Sequence, residues 1–184
     1  MADPRTEAFD TRIAPQLPLL FRAAWRLTGH RADAEDLVQD TCVLACENPK
    51  ALGEADRPDR WLLRVLYNRF IDGTRRRRRS PVLSLRKDEE MPLPAADEPG
   101  PEDLAMQTQQ ERTLQRACDK LSDTQRALLT LRAEGYGLEE IETITGIGKD
   151  VLRARLHRAR LSLARYLERG GDEAATPIRI GSKS

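Results

Sequence analysis

The chain has 184 residues, 39% of them hydrophobic, 33% charged and only 4% aromatic, which allows one ordinary domain or two small ones and disfavours a β-sandwich, whose strands would call for more Val, Tyr and Trp. The formal net charge of +1 hides a segregation: residues 1–79 hold 15 Lys/Arg against 12 Asp/Glu, residues 80–103 hold 2 against 7, and residues 104–184 hold 14 against 11. Two mildly basic blocks thus flank an acidic connector, so the overall balance does not exclude a local nucleic-acid surface.

Residues 1–11 are polar and are expected to be a flexible N-terminus. From Pro18 to about Thr28, the residues Leu19, Leu20, Ala23, Ala24 and Leu27 recur at helical spacing, and Gly29 is placed to stop that helix. A second helix is predicted from about Ala32 to Cys46, its apolar side built from Leu37, Val38, Thr41, Cys42, Leu44 and Ala45. Asp33, Glu35 and Asp36 crowd its first turn, where the helix dipole favours acids. Asn48-Pro49 breaks the pattern, and the segment to Arg60, with Gly53 and Pro58, reads as a loop. A third helix starts near Asp59, runs through Trp61, Leu62, Val65, Leu66, Phe70 and Ile71, and ends in Arg75–Arg79.

Residues 80–103 contain Pro81, Pro92, Pro94, Pro99 and Pro101 with few large apolar side chains, and read as an extended acidic linker. Beyond it a helix is expected from about Leu104 to Lys120. Ser122 and Gln125, at capping-box spacing, open another that runs to about Glu134. A short helix, Leu138 to Ile144, and a long one, from about Asp150 to Glu168, complete the pattern, and the tail from residue 170 to 184 is expected to be flexible. The predicted fold class is all-α: a helical domain at 12–79 and a second at 104–169, joined by the linker.

Leu138–Arg160 has helix-turn-helix form, with Gly146 in the turn and Ile141, Ile144, Ile147, Val151 and Leu152 expected to face inward. Residues 149–169 carry 7 basic and 2 acidic side chains, among them Lys149, Arg153, Arg155, Arg158 and Arg160. An arginine fork can grip a phosphate or read guanine in the major groove; the alternative is a solvated helix face. Residues 62–79 hold 7 arginines and one acid, Asp72. Five consecutive arginines spread around a helix end and repel one another unless an anion is near. A second basic helix in the other domain favours a shared nucleic-acid partner over a bare charge run.

Three stretches then match a known pattern in order and spacing. They are Leu27-Thr28-Gly29 with Asp33 to Thr41; Trp61-Leu62 with Arg64, Asn68, Ile71-Asp72 and the arginine run; and Leu121 to Gln125 with Gly137–Ile144, Gly146-Ile147 and Arg153–Arg160. In these the chain resembles bacterial RNA polymerase sigma factors of the extracytoplasmic-function (ECF) class. The resemblance implies a sigma-2-like domain at 12–79, whose Asp33, Glu35, Asp36, Gln39 and Asp40 bind the clamp coiled coil of core RNA polymerase. It implies that Asn48, Leu52, Trp61, Arg64, Asn68 and Arg75, Arg76, Arg77, Arg78 and Arg79 meet the −10 promoter element, one flipped base entering a pocket near Asn48, Leu52 and Asn68. It further implies a sigma-4-like domain at 104–169 that binds the polymerase flap and the −35 element. There Arg153 and Arg155 lie nearest the bases and Lys149, Arg158 and Arg160 on phosphates, while the linker threads through the polymerase. An anti-sigma factor is an expected partner. No catalytic site, cofactor or metal is expected.

The chain departs from the pattern at Cys42 and Cys46, where many relatives have aromatics. It departs also at Gly137 in place of a Ser or Thr cap, and at Gly148-Lys149-Asp150-Val151 in place of a more usual Pro-x-Gly-Thr. Cys42, Cys46 and Cys118 make an odd count without framework spacing, and read as core thiols of a protein in a reducing, cytoplasmic setting. Residues 1–16 lack the apolar core of a signal peptide, and no stretch reaches the roughly 20 apolar residues of a membrane span. His30 and His157 lack a catalytic arrangement with Ser or Cys, and Trp25 and Trp61 read as core anchors. Two other classes remain: a sigma-like mimic that titrates an anti-sigma factor without touching DNA, which would not need the basic helices, and a dimeric helix-turn-helix regulator, which the first domain and the lack of a dimerisation heptad disfavour.

Overall fold

The computed structural model describes residues 9–79 and 113–174, with side chains to residue 168, and every regular element among them is helical. The linker 80–103, residues 1–8, the predicted helical stretch 104–112 and the tail from 175 lie outside the described residues. A π-helical turn, Phe9–Ile13, and a 3-10 turn, Ala14–Gln16, lead into α1, Leu17–Thr28. Ordered backbone therefore begins before residue 12: Ile13 is fully buried, and Arg12 donates to the carbonyls of Ala55 and Gly53, both at 3.0 Å.

Gly29 ends α1 in the left-handed conformation, φ 75°, its N–H returning to Trp25 O. Helix α2, Arg31–Glu47, starts with His30 as its extended N-cap. The segment 47–60 is not a continuous loop. Pro49 occupies the first turn of a short helix, α3, Pro49–Gly53, because a residue whose fixed φ and missing N–H break one helix suits the start of the next. Helix α4, Pro58–Arg79, is helical through the whole arginine run and buries Leu62, Leu63, Leu66, Phe70 and Thr74 on one face.

After the linker, α5 is described over residues 113–119. Helix α6, Asp123–Ala133, opens on the predicted capping box: Ser122 Oγ accepts from Gln125 N–H while Gln125 Oε1 accepts from Ser122 N–H. Helices α7, Leu138–Thr145, and α8, Lys149–Ala174, form the helix-turn-helix, with Gly146 at φ 70° in the turn. Gly137 offers no side-chain cap, but Glu140 supplies the other half of the box by accepting from Gly137 N–H at 2.7 Å. Helix α8 continues through Gly170 and Gly171 to Ala174, beyond the predicted end at Glu168.

The two helical modules are packed together. Buried residues of both, among them Leu20, Leu27, Leu62, Leu66, Leu128, Ile141 and Leu152, form one continuous core, with α1 lying against α6 and α4 against α6 and α7. Cys42 and Cys46 are half-buried thiols at the edge of this core rather than interior ones, and burial followed by the neighbouring Cys46 pushes the Cys42 thiol pKa up.

Candidate nucleic-acid interface

Helix α8 shows why its sequence can serve two masters. Leu152, Leu156 and Ala159, at i, i+4 and i+7, are at most 4% exposed and seat the helix against α6 and α7. Val151, expected inward, is instead 46% exposed, because the buried stripe passes through its neighbour Leu152. Arg153, Arg158 and Arg160 are left facing solvent, and Lys149 and Arg155 are half-exposed. Two of these cations carry local counter-ions: Lys149 pairs with Glu139 at 2.8 Å and Arg153 with Asp150 at 2.9 Å. The first pair raises the Lys149 pKa and lowers that of Glu139. Both partners are exposed, so each pair contributes little to stability and leaves its cation available to a phosphate.

On α4, Arg64, Asn68 and Arg75 to Arg79 are exposed, and Trp61 lies half-buried against the core. Asn48 is exposed, its amide donating to Leu44 O at 2.8 Å. Leu52 is completely buried and offers no surface to a base. The structure therefore leaves Asn48 and Asn68 at the surface and sends Leu52 into the core. Within the arginine run, Arg75 has Asp72 at 3.7 Å and Arg78 has Asp123 of α6 at 2.8 Å.

The acidic set on α2 is largely a surface. Glu35, Asp36, Gln39 and Asp40 are exposed and Asp33 is half-buried. Val43, 50% exposed, shares their face at i+7 from Asp36. Sequence reasoning places no role on it, although the shared spacing is available there.

A second group escapes the sequence entirely. The turn between α6 and α7 and the first turn of α7 place Glu134, Tyr136 and Glu140 against α1 and α4. The Glu134 carboxylate, only 4% exposed, receives Arg22 at 3.1 Å and Arg26. Tyr136, 7% exposed, donates its hydroxyl to Asp59 Oδ2 at 2.9 Å, and Arg60 donates to Glu140 Oε1 at 2.6 Å. Burial foremost, and then its bond to Asp59, pushes the Tyr136 pKa well up. No local pattern announces these contacts, whose partners stand 77 to 112 residues apart.

The family models for sigma-70 region 2 and sigma-70 region 4 match residues 13–80 and 111–163. Among curated relatives, the chain is 31% identical over 160 residues to the ECF RNA polymerase sigma factor SigL of Mycobacterium tuberculosis, covering 83% of this chain and 85% of that protein. The chain belongs to the ECF class of sigma factors. It is also 32% identical over 169 residues to SigE of Mycolicibacterium smegmatis, covering 91% of this chain but spanning only 65% of that relative. Among solved structures, this sigma factor superposes on RpoE of Bartonella quintana, crystallised with the anti-sigma factor NepR, with a TM-score of 0.69 and 26% identity, over 87% of this chain and 96% of that one. Among the described residues no helix is long and apolar enough to cross a membrane.

Proposed function

We propose that this sigma factor binds core RNA polymerase, selects promoters and helps open them, and that the chemistry of transcription is performed by the polymerase, with no catalytic site on this chain. Residues 12–79 hold the polymerase and −10 functions, residues 104–169 the −35 function, and the acidic linker 80–103 spans them inside the enzyme. The observation that carries this reading is the separation of charge on the folded surface. The exposed acids of α2 offer one face to a basic protein partner, while α8 and the end of α4 expose cations suited to a polyanion.

In this reading Glu35, Asp36, Gln39 and Asp40 dock the clamp coiled coil, with the exposed Val43 adding an apolar contact one turn beyond them. Arg153 and Arg155 approach the −35 bases, and Lys149, Arg158 and Arg160 the flanking phosphates. Asn48, Trp61, Arg64 and Asn68 line the −10 site, and Arg75–Arg79 hold the upstream backbone. Extruding a base costs a few kcal/mol of stacking, which such a pocket offsets with new stacking and hydrogen bonds. Leu52, wholly buried, takes no direct part in that site. The cell compartment is the cytoplasm, and an anti-sigma factor, as for RpoE, is the regulator.

The test is transcription from a broad promoter library by a bacterial core enzyme with and without the purified chain. Start sites that depend on the chain support the proposal, and their absence overturns it. Asp36→Arg should abolish co-purification with core enzyme while leaving the folded helix content unchanged by circular dichroism; normal co-purification would remove α2 from the polymerase-binding role.

A further inference from the structure

We propose that Arg12 is a positioning residue for −10 recognition: its guanidinium holds the exit of α3 and so sets the shape of the segment that meets the extruded base. The inference rests on the −10 role proposed above for this domain. Residues 48–57 join α2 to α4 with little internal support. Helix α3 has five residues, too few to be stable on its own. The backbone bonds within the segment run from Leu52 N–H to Asn48 O at 3.1 Å, from Glu54 N–H to Lys50 O at 3.0 Å and from Ala55 N–H to Leu52 O at 3.3 Å. The last carbonyls of a helix have no partner within it and must find one elsewhere. Here two carbonyls at the exit of α3 find theirs 41 and 43 residues away: Arg12 Nη2 donates to Gly53 O and Arg12 Nη1 to Ala55 O, both at 3.0 Å.

The base of this clamp is firm. Ile13, the next residue, is fully buried, Phe9 packs against the core, and the turn Phe9–Ile13 lies against α2 and α4. Those are the two helices that the segment joins, so Arg12 is tied to the same frame as both of its ends. A planar fork with each arm on a different carbonyl fixes direction as well as distance, which a single ammonium cannot do. The segment is therefore pinned three times: at its start by the Asn48 amide on Leu44 O, in its middle by Leu52 in the core, and at its exit by Arg12. Between these points Lys50, Ala51, Gly53, Glu54 and Asp56 stay exposed. An extruded base gives up its stacking before it gains new contacts. A segment already held in one shape spends less of that gain on its own ordering, and so separates a right base from a wrong one more sharply. Arg12 lies on none of the surfaces assigned to core polymerase or to the −35 element.

The experiment uses the full chain as Arg12→Ala and Arg12→Lys. Discrimination at −10 is the ratio of transcripts that core polymerase with the factor makes from a matched promoter and from one with a single changed −10 base; discrimination at −35 is read in the same way. At native helix content, Arg12→Ala should lower the −10 ratio about three- to tenfold and leave the −35 ratio unchanged, because the shape of the segment is lost and no base contact is. Arg12→Lys, able to reach one carbonyl at a time, should fall between Arg12→Ala and wild type. In the free factor, amides of residues 48–57 should exchange with deuterium faster in Arg12→Ala, and those of α6 to α8 at the wild-type rate. An unchanged −10 ratio, equal losses at both elements, or wild-type exchange in 48–57 overturns the proposal. Should Arg12→Ala lose its helices, Arg12→Lys decides the matter: a lowered −10 ratio with an unchanged −35 ratio supports the proposal, and a wild-type −10 ratio overturns it. If no start site depends on the wild-type chain, the promoter reading fails, while exchange still decides whether Arg12 holds the segment.

Discussion

Helices α4 and α8 are of similar length, 22 and 26 residues, and both are rich in arginine, yet the cations are placed differently. On α4 the arginines gather in the last turns, past the final large buried side chain, Phe70, so nothing in the core dictates which way each one points. On α8 the cations are interleaved with the buried stripe Leu152, Leu156 and Ala159, so packing fixes the face that each presents. A charge run at a helix end makes a surface for phosphates in general, whereas charges registered to a buried stripe make a surface that can distinguish bases.

That contrast can be broken by mutation. Arg153→Ala with Arg155→Ala should lower transcription from −35-dependent promoters about thirtyfold or more, since each base contact is worth about 1–3 kcal/mol, and should leave binding to core polymerase nearly unchanged. Replacing Arg76, Arg77 and Arg79 by Ala should weaken DNA binding evenly across sequences. It should also flatten the salt dependence by about one unit of slope for each phosphate left without its arginine. An α4 variant with altered sequence preference, or an α8 variant without one, would reverse the assignment of the two helices.

The stripe itself is the next target. Leu152→Ala should destabilise the chain by about 2–5 kcal/mol, because a fully buried side chain in a shared core leaves a cavity that the packed helices cannot close. Val151→Ala, one residue away but 46% exposed, should change stability by less than about 1 kcal/mol. Thermal melts of the two variants compare adjacent positions on one helix and test the register directly. A smaller effect is expected at Ser122→Ala, about 1 kcal/mol, from loss of the side-chain half of the α6 capping box.

The elements most legible from sequence are those whose signals are local. Gly29 stops α1 because a left-handed φ suits glycine, and a Cβ there would also run into the Gln115 amide of α5. Ser122 and Gln125 announce α6 by spacing alone. The segment 47–60 is harder, because Pro49 both ends a helix and begins one, and only tertiary packing of Leu52 reveals the second role. The burial of Leu52 is not legible in sequence, because a single leucine between breakers has no periodicity to orient it. The seam between modules is illegible for a different reason. Glu134 and Glu140 look like ordinary surface acids in sequence, and their burial depends on arginines more than 75 residues away.

The seam also sharpens the comparison through its response to pH. Burial alone would raise the Asp59 pKa, but donors from the Arg57 and Tyr136 side chains and the Arg60 N–H outweigh it and hold the carboxyl below its ordinary 3.8. A lowered carboxyl favours the folded form above its unfolded value, and that contribution is lost as pH falls through the lowered one. Tyr136 is raised above its ordinary 10 by burial and then by Asp59. It contributes fully below pH 10, and the contribution is lost as pH rises toward the raised value. Between about pH 5 and about pH 9 neither group titrates. Stability measured by thermal melts at constant ionic strength should therefore stay flat across that window, with losses only outside it. A step in stability inside that window would show that Asp59 and Tyr136 do not set the pH response of this seam.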